Sequence, residues 1–518
     1  MKGLVFEALT PQAEAAANRT DLACFIGFAK VRDVAPPADL RQWLQHEGWW
    51  STATSSGEQS GSESLYNVPV PIASWERFDQ LFAWDKRPYG NESIAGATYL
   101  GAAVRSFFAQ GGRKCYVVSL GEPVALDAGR AARDAMLRQL VPQDTGQRSR
   151  RGEWQGLHHL FGLPGAAFVA MPDLPELAAE YREATATPIT LPPPMPAFVE
   201  CSASSAAMQA ANQVVNLAAP SCTDEEYRRW RDTLHRAAVW IADYRRDVQL
   251  LAALPLAEKQ SGAAVDQLAF LHEEQFLSST LDLNQSIASA FLQLAYPWLQ
   301  LSYAGDLPSN LEPPEGLLAG LLARNALTRG TFRSASAPII RDVLDCVPRL
   351  SQSQQYAVNP KAPADASPQA PFIDRIALFG PTPDGFHLLS DVTTSNDIDY
   401  RQANIGRTIA LVMRAARAIG EEYVFEPSGE RLWHQIRSRL EDVLGAMQRV
   451  GALAGTRPGE AFQVRCDRSS MTQQDIDSGR VIVVVSIRPA ASIETLRIQL
   501  AIGDGGRVSL SALGMEAA

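Results

Sequence analysis

Residues 421–455, EEYVFEPSGERLWHQIRSRLEDVLGAMQRVGALAG, and residues 461–489, AFQVRCDRSSMTQQDIDSGRVIVVVSIRP, decide how this chain is read. In the first segment Leu432, Trp433, Ile436, Leu440, Val443, Leu444, Met447 and Val450 recur at helical spacing and define one apolar face. Pro427, Ser428 and Gly429 start this helix and Gly451 stops it. In the second, Phe462 to Cys466 and Arg480 to Ile487 read as strands, the latter so uniformly apolar that it suits a strand covered on both faces. Residue types that do catalysis are almost absent, so the segment is framework.

Working outward, the period of a half-buried strand returns in Leu496, Ile498, Leu500 and Ile502, which alternate with Thr495, Arg497, Gln499 and Ala501. The glycines of IGDGGR make a turn, after which Arg507 to Ser511 can form one more strand. At the other end Leu4, Val5 and Phe6 belong to a short strand candidate, Leu4 to Leu9, tethered by TPQAEAAANR. A strand on a tether satisfies its backbone by pairing with an exposed sheet edge, and that edge can belong to a neighbour.

The segments VFEPSGERLW (424–433), GALAG (451–455), EAFQVRCDRSSMTQQDIDSGR (460–480) and IRPAASIETLRIQLAI (487–502) resemble the C-terminal domain of contractile tail sheath proteins. These form the family shared by contractile phage tails and phage-tail-like injection particles. Earlier pieces agree in order: CFIGFA (24–29), VPIASWERFDQLFAW (70–84), YLGAAVRSFFAQGGRKCYVVSLG (99–121), RRDVQLLAALPL (245–256), AYPWLQL (295–301) and LLARNALTRGTFRSA (321–335). The family's usual long N-terminal arm is represented by Met1 to Arg19. The resemblance implies a large subtilisin-like α/β domain plus a smaller α+β inner domain, with terminal strands exchanged between subunits. It implies stacked hexameric rings around an inner tube, with baseplate and cap proteins as further partners, no cofactor, and contraction that drives the tube through a target envelope.

Composition is compatible with this. A chain of 518 residues with 46% hydrophobic content is long enough for two or three domains. A formal net charge of -10 argues against nucleic acid as the main partner. The six cysteines are scattered, five in or beside apolar runs, and read as buried thiols of a reducing compartment. Met1 to Thr20 lacks a signal-peptide pattern, and no run approaches the roughly 18 apolar residues of a membrane span. Folding and assembly in the bacterial cytoplasm are therefore expected, as part of a phage tail or an injection particle.

Strand-like runs at Cys24–Phe28, Cys115–Leu120, Ala166–Met171, Ala197–Cys201, Val248–Leu254 and Ile376–Phe379 alternate with helical ones at Ile94–Gln110, Glu225–Tyr244 and Ser286–Leu299. Such alternation predicts a largely parallel sheet. The Pro/Ala/Gln-rich stretch 351–371 makes the best boundary, giving an arm at 1–20, an outer domain at 21–370 and an inner domain at 371–518.

A subtilisin-like fold invites a search for catalysis. No G-x-S-x-G, H-E-x-x-H, C-x-x-C or phosphate-cradling loop occurs. Ser334 stands near a glycine and Asp173 follows a strand, yet no histidine sits in a protease context; His434 reads as a surface residue of its helix. No catalytic or metal-ligating residue is expected. On a helix from about Asn404 to Gly420, Ile405, Ile409, Val412, Met413, Ala416 and Ile419 form a buried stripe, with Arg407, Arg414 and Arg417 opposite. Arg431, Arg437, Arg439 and Arg449 follow on the next helix. These seven arginines are candidates for gripping an acidic tube, against the plainer reading of a solvated face with pairs such as Arg437 with Glu441. The expectation is a contractile sheath subunit; the rivals are a non-contracting cap or collar relative and a cytoplasmic α/β enzyme.

Overall fold

The computed structural model describes residues 20–50, 64–89, 94–142, 151–181, 218–258, 286–356 except 306 and 337, 371–490 except 425, and the strands Leu496–Ile502 and Val508–Ala512. Its centre is an eight-stranded sheet. In spatial order the strands are Gly385–Leu388, Ala377–Thr382, Leu292–Tyr296, Gln249–Ala253, Phe168–Ala170, Ala23–Gly27, Cys115–Ser119 and Val70–Ile72. Every pairing from Ala377–Thr382 across to Cys115–Ser119 is parallel, and the two outermost strands run antiparallel to their neighbours.

The central strands read as apolar runs because both faces are covered. Successive side chains go to opposite sides: Phe25, Val117, Phe168 and Leu251 enter one core with the helices Tyr99–Ala109 and Glu315–Thr328. Cys24, Ile26, Val118, Val169 and Leu250 enter a second with Arg130–Leu140 and Asp224–Tyr244. The Tyr99 helix starts where the Thr98 hydroxyl accepts from Gly101 N–H at 3.2 Å, and Asp224–Tyr244 where Glu226 accepts from Thr223 N–H at 2.6 Å.

Two expectations need correction. Ser286–Leu299 is not helical but carries the strands Leu292–Tyr296 and Trp298–Leu301. Leu292, Leu294 and Tyr296 face one core and Ala295 the other, and a run apolar at nearly every position has the same periodicity signal in strand or helix. Pro297, lacking an N–H, was the residue that argued against a helix there. The division at 370/371 also cuts the large sheet, since Ala377–Thr382 and Gly385–Leu388 belong to it.

The third core begins beyond that sheet. It joins Ala403–Glu422, Glu430–Arg449 and the strands Phe462–Arg465 and Val481–Ile487 through Ile405, Val412, Trp433, Ile436, Leu444, Val464, Val483 and Val485. Here the sequence reading holds to within a residue or two at each boundary. The five described cysteines are all buried thiols, and Cys201, with its expected strand 197–201, lies outside the described residues. Of the expected boundary stretch 351–371, residues 357–370 lie outside them too.

Candidate functional site

The helix Ala403–Glu422 has no solvent face over most of its length. Its apolar stripe lies in the third core, and the opposite side meets the large domain. There Arg407 donates to both oxygens of Asp391, at 3.0 and 2.6 Å. Asp391 further accepts from Gln293 Nε2 at 2.9 Å and from Ala335 N–H at 2.8 Å. Burial would push this carboxyl up, but Arg407, with help from the two N–H donors, holds it below the usual range.

One turn-pair further on, Arg414 donates to the carbonyls of Gly165, Ala166 and Asp247 at the ends of two central strands. Burial pulls its guanidinium down to about 10, with Asp247 opposing. The Asp247 carboxylate takes two bonds of 3.0 Å from Arg245 and one of 3.4 Å from Arg417. Against a large burial effect these guanidinium groups hold it far below an ordinary aspartate.

This corrects the reading of Arg407 and Arg414 as an open basic face. They are 5% and 6% exposed and join the chain's own two domains. A stripe of arginines opposite an apolar stripe looks the same in sequence whether water or buried carboxylates satisfy it. Arg417 keeps 26% of its side chain exposed beside Asp247. Sequence reasoning missed Asp247 and Asp391; for Asp247 the available signal was its place beside the fully buried strand Gln249–Ala253, where an unpaired charge could not stay.

On Glu430–Arg449 the candidates Arg431, Arg437, Arg439 and Arg449 are exposed. Arg437 pairs with Glu441 at 2.8 Å, and Arg439 with Glu422 of the neighbouring helix at 3.1 Å. Arg431 and Arg449 form no ion pair among the described residues. Arg437 and Arg449 border an open hollow whose other wall is the strand Phe462–Arg465.

That strand is one edge of a four-stranded antiparallel sheet, in the order Phe462–Arg465, Val481–Ile487, Leu496–Ile502 and Val508–Ala512. Phe462 pairs with Ile487, Val481 with Ile502, and Ile502 with Val508. The strand carrying Leu496, Ile498, Leu500 and Ile502 thus lies in register within its own chain, and Val508–Ala512 is the other edge. Leu4, Val5 and Phe6 lie outside the described residues.

Among the described residues no hydrogen bond links Ser334, Asp173 and His434, the residues weighed for catalysis, to one another. Ser334 is exposed and its hydroxyl donates to Ser336 Oγ at 3.1 Å. Asp173 is buried and accepts from the N–H groups of Phe28 and Leu100 at 2.7 and 3.0 Å, with burial pushing it up to about 7. His434 is exposed on a helix of the third core. His159 sits between the carbonyl oxygens of Gly156 and Asn67 at 2.9 Å each, and burial lowers its pKa. Among the described residues no group of three or more His, Cys, Asp and Glu could hold a metal ion.

A doubly covered parallel sheet, an arginine-jointed third core and a terminal antiparallel sheet make up a mixed α/β fold that matches solved sheath structures. No family model matches the sequence, and no curated protein matches it. Solved structures do. A chain of the anti-feeding prophage (AFP) baseplate in contracted state superposes with a TM-score of 0.57 at 17% identity, over 95% of each chain. A chain of the AFP helical sheath in contracted state gives 0.52 at 17%, over 95% of this chain and 96% of that one. A chain of the PVC sheath complex of an extracellular contractile injection system, also contracted, gives 0.50 at 15%, over 94% of each. At such identities the likeness establishes the fold. Among the described residues no helix is long and apolar enough to cross a membrane.

Proposed function

We propose that this chain is the structural subunit of a contractile sheath. Its copies would polymerise as stacked hexameric rings around an inner tube, in an extended and kinetically trapped lattice. A trigger at the baseplate would release rotation and sliding of each ring into a compact packing, driving the tube through a target cell envelope. The observation that carries this reading is the end-to-end superposition on sheath chains of two contractile particles.

The terminal sheet supports the mode of assembly. Phe462–Arg465 is an edge strand beside an open hollow, and an edge offers a row of unpaired N–H and C=O groups to a strand from another copy. The segment containing Leu4, Val5 and Phe6 is the donor proposed for it, and Leu496–Ile502 with Val508–Ala512 would in the lattice be shared between neighbours. Tube contact is assigned to the exposed arginines Arg431, Arg437, Arg439 and Arg449, with Arg417 at the margin; exposed pairs of about 0 to 1 kcal/mol each suit an attachment that must let go. Baseplate and cap proteins would terminate the lattice, and assembly would take place in the bacterial cytoplasm. Electron microscopy of the purified protein, alone and with its tube protein, tests the reading: ring stacks or tubes support it, and dispersed globular particles at every concentration refute it.

A further inference from the structure

The helices Glu315–Thr328 and Tyr99–Ala109 pack with almost nothing between their backbones. A Cβ on Gly316 would run into the backbone of Ala103, and one on Gly320 would lie 2.6 Å from the Phe107 carbonyl oxygen. At the head of this contact stand two carboxyl groups. Glu312 and Glu315 are 1% and 0% exposed, and no hydrogen bond of normal geometry reaches Oε1 or Oε2 of either. An ionised carboxylate buried without a partner is so costly that such a group folds as the neutral acid.

We propose that Glu312 and Glu315 form a proton-held latch in the large domain: each is buried as a neutral acid, and loss of its proton to solvent at alkaline pH parts Glu315–Thr328 from Tyr99–Ala109. The surroundings do not rescue the charges. Tyr99–Ala109 contributes Tyr99, Ser106 and Arg105: Ser106 and Arg105 oppose the shift of Glu312 without offsetting its burial, Ser106 Oγ being also 3.0 Å from Tyr303 OH, and Arg105 lying over the Tyr303 ring at 4.9 Å and donating to its carbonyl. Asp342 stands near Tyr303. Asp173 adds another negative charge, while Glu176 is occupied by Arg87 at 2.5 Å and lies within 3.8 Å of Arg133. The strands Phe168–Ala170 and Gln249–Ala253 beneath the helix carry no ionisable residue. Accordingly burial pushes Glu312 up to about 8, against Ser106 and Arg105, and pushes Glu315 well up, with Glu312 and Asp173 adding to the effect.

The sign follows from proton linkage. Groups whose folded pKa is raised stabilise fully below the unfolded value of about 4.3, and that contribution drains away as pH rises towards the folded value. For the full-length protein, each latch residue should lower the folded-to-unfolded ratio about tenfold per pH unit across that window, read from urea midpoints between about pH 5 and about pH 9. E312Q/E315Q should remove that part of the slope, and amide-exchange protection in 99–109 and 315–328 should fall by about pH 9 in the wild type but not in the variant. Identical pH dependence in the two proteins, or protection unchanged in the wild type, overturns the latch. If the variant does not fold, unfolding the wild type in weak buffer at about pH 7.5 decides: about two protons released per chain support the latch, and none refutes it.

Discussion

At Arg407 the guanidinium gives two charge-assisted bonds to the buried Asp391, and the consequence is a strong dependence on the partner. Asp391→Ala leaves a buried cation without its carboxylate and should cost about 3–5 kcal/mol, whereas Arg407→Met with Asp391→Leu should cost far less, because both charges leave together. Urea midpoints of the three proteins check this; equal losses would mean the pair acts only by volume. The two aspartates of the seam also contribute to the acid limb of stability. Their folded pKa values lie below the unfolded value of about 3.9, so their contribution is present above it and is lost as pH falls through the folded values. Asp247→Asn should therefore flatten the fall in stability below about pH 4, measured by acid titration of the unfolding midpoint. Little of this was legible in the sequence. The helix and its two stripes could be read, but the carboxylates answering the arginines come from residues 247 and 391, and a pattern along one helix carries no information about what faces it.

The elements follow the opposite rule. Glu430–Arg449, Phe462–Arg465 and Val481–Ile487 were readable almost to the residue, because Trp433 and Leu444 keep helical period and the caps at Gly429 and Gly451 punctuate it. Leu292–Tyr296 was not, since a strand buried on both faces loses the alternation by which strands are recognised. Removing everything after Pro489 strips Leu496–Ile502 from Val481–Ile487, with about 5 backbone bonds of about 1 kcal/mol each. The remainder should still fold around its large sheet, seen by an intact thermal transition, yet fail to form long sheaths; removal of 1–9 should do the same less severely. Normal-length sheaths from the shorter chain would show that these strands do not join subunits. On the outer face of Glu430–Arg449, changing Arg431, Arg437, Arg439 and Arg449 to Glu should abolish extended sheath around tubes while tube-free contracted sheath still forms, and raised salt should mimic part of the loss through screening over about 8 to 10 Å. Normal extended particles from that variant would move the tube contact elsewhere.

On the scale of the whole molecule, the described residues form three cores: two share one sheet, and the third is jointed to it by arginines buried between them. A seam held by charge-assisted bonds would suit the proposed force-bearing subunit. The architecture was legible from alternating strands and helices; the extent of the large sheet was not, because its last two strands follow a segment whose composition marks a linker. The same chain that should show no peptidase activity with Ser334, Asp173 or His434 intact should polymerise without any nucleotide. The most direct test is cryo-electron microscopy of the protein assembled with its tube: helical stacks of six-subunit rings, whose inner surface carries Glu430–Arg449 and whose terminal sheet is built from more than one copy, are expected. Monodisperse subunits that never form rings under any assembly condition would contradict it.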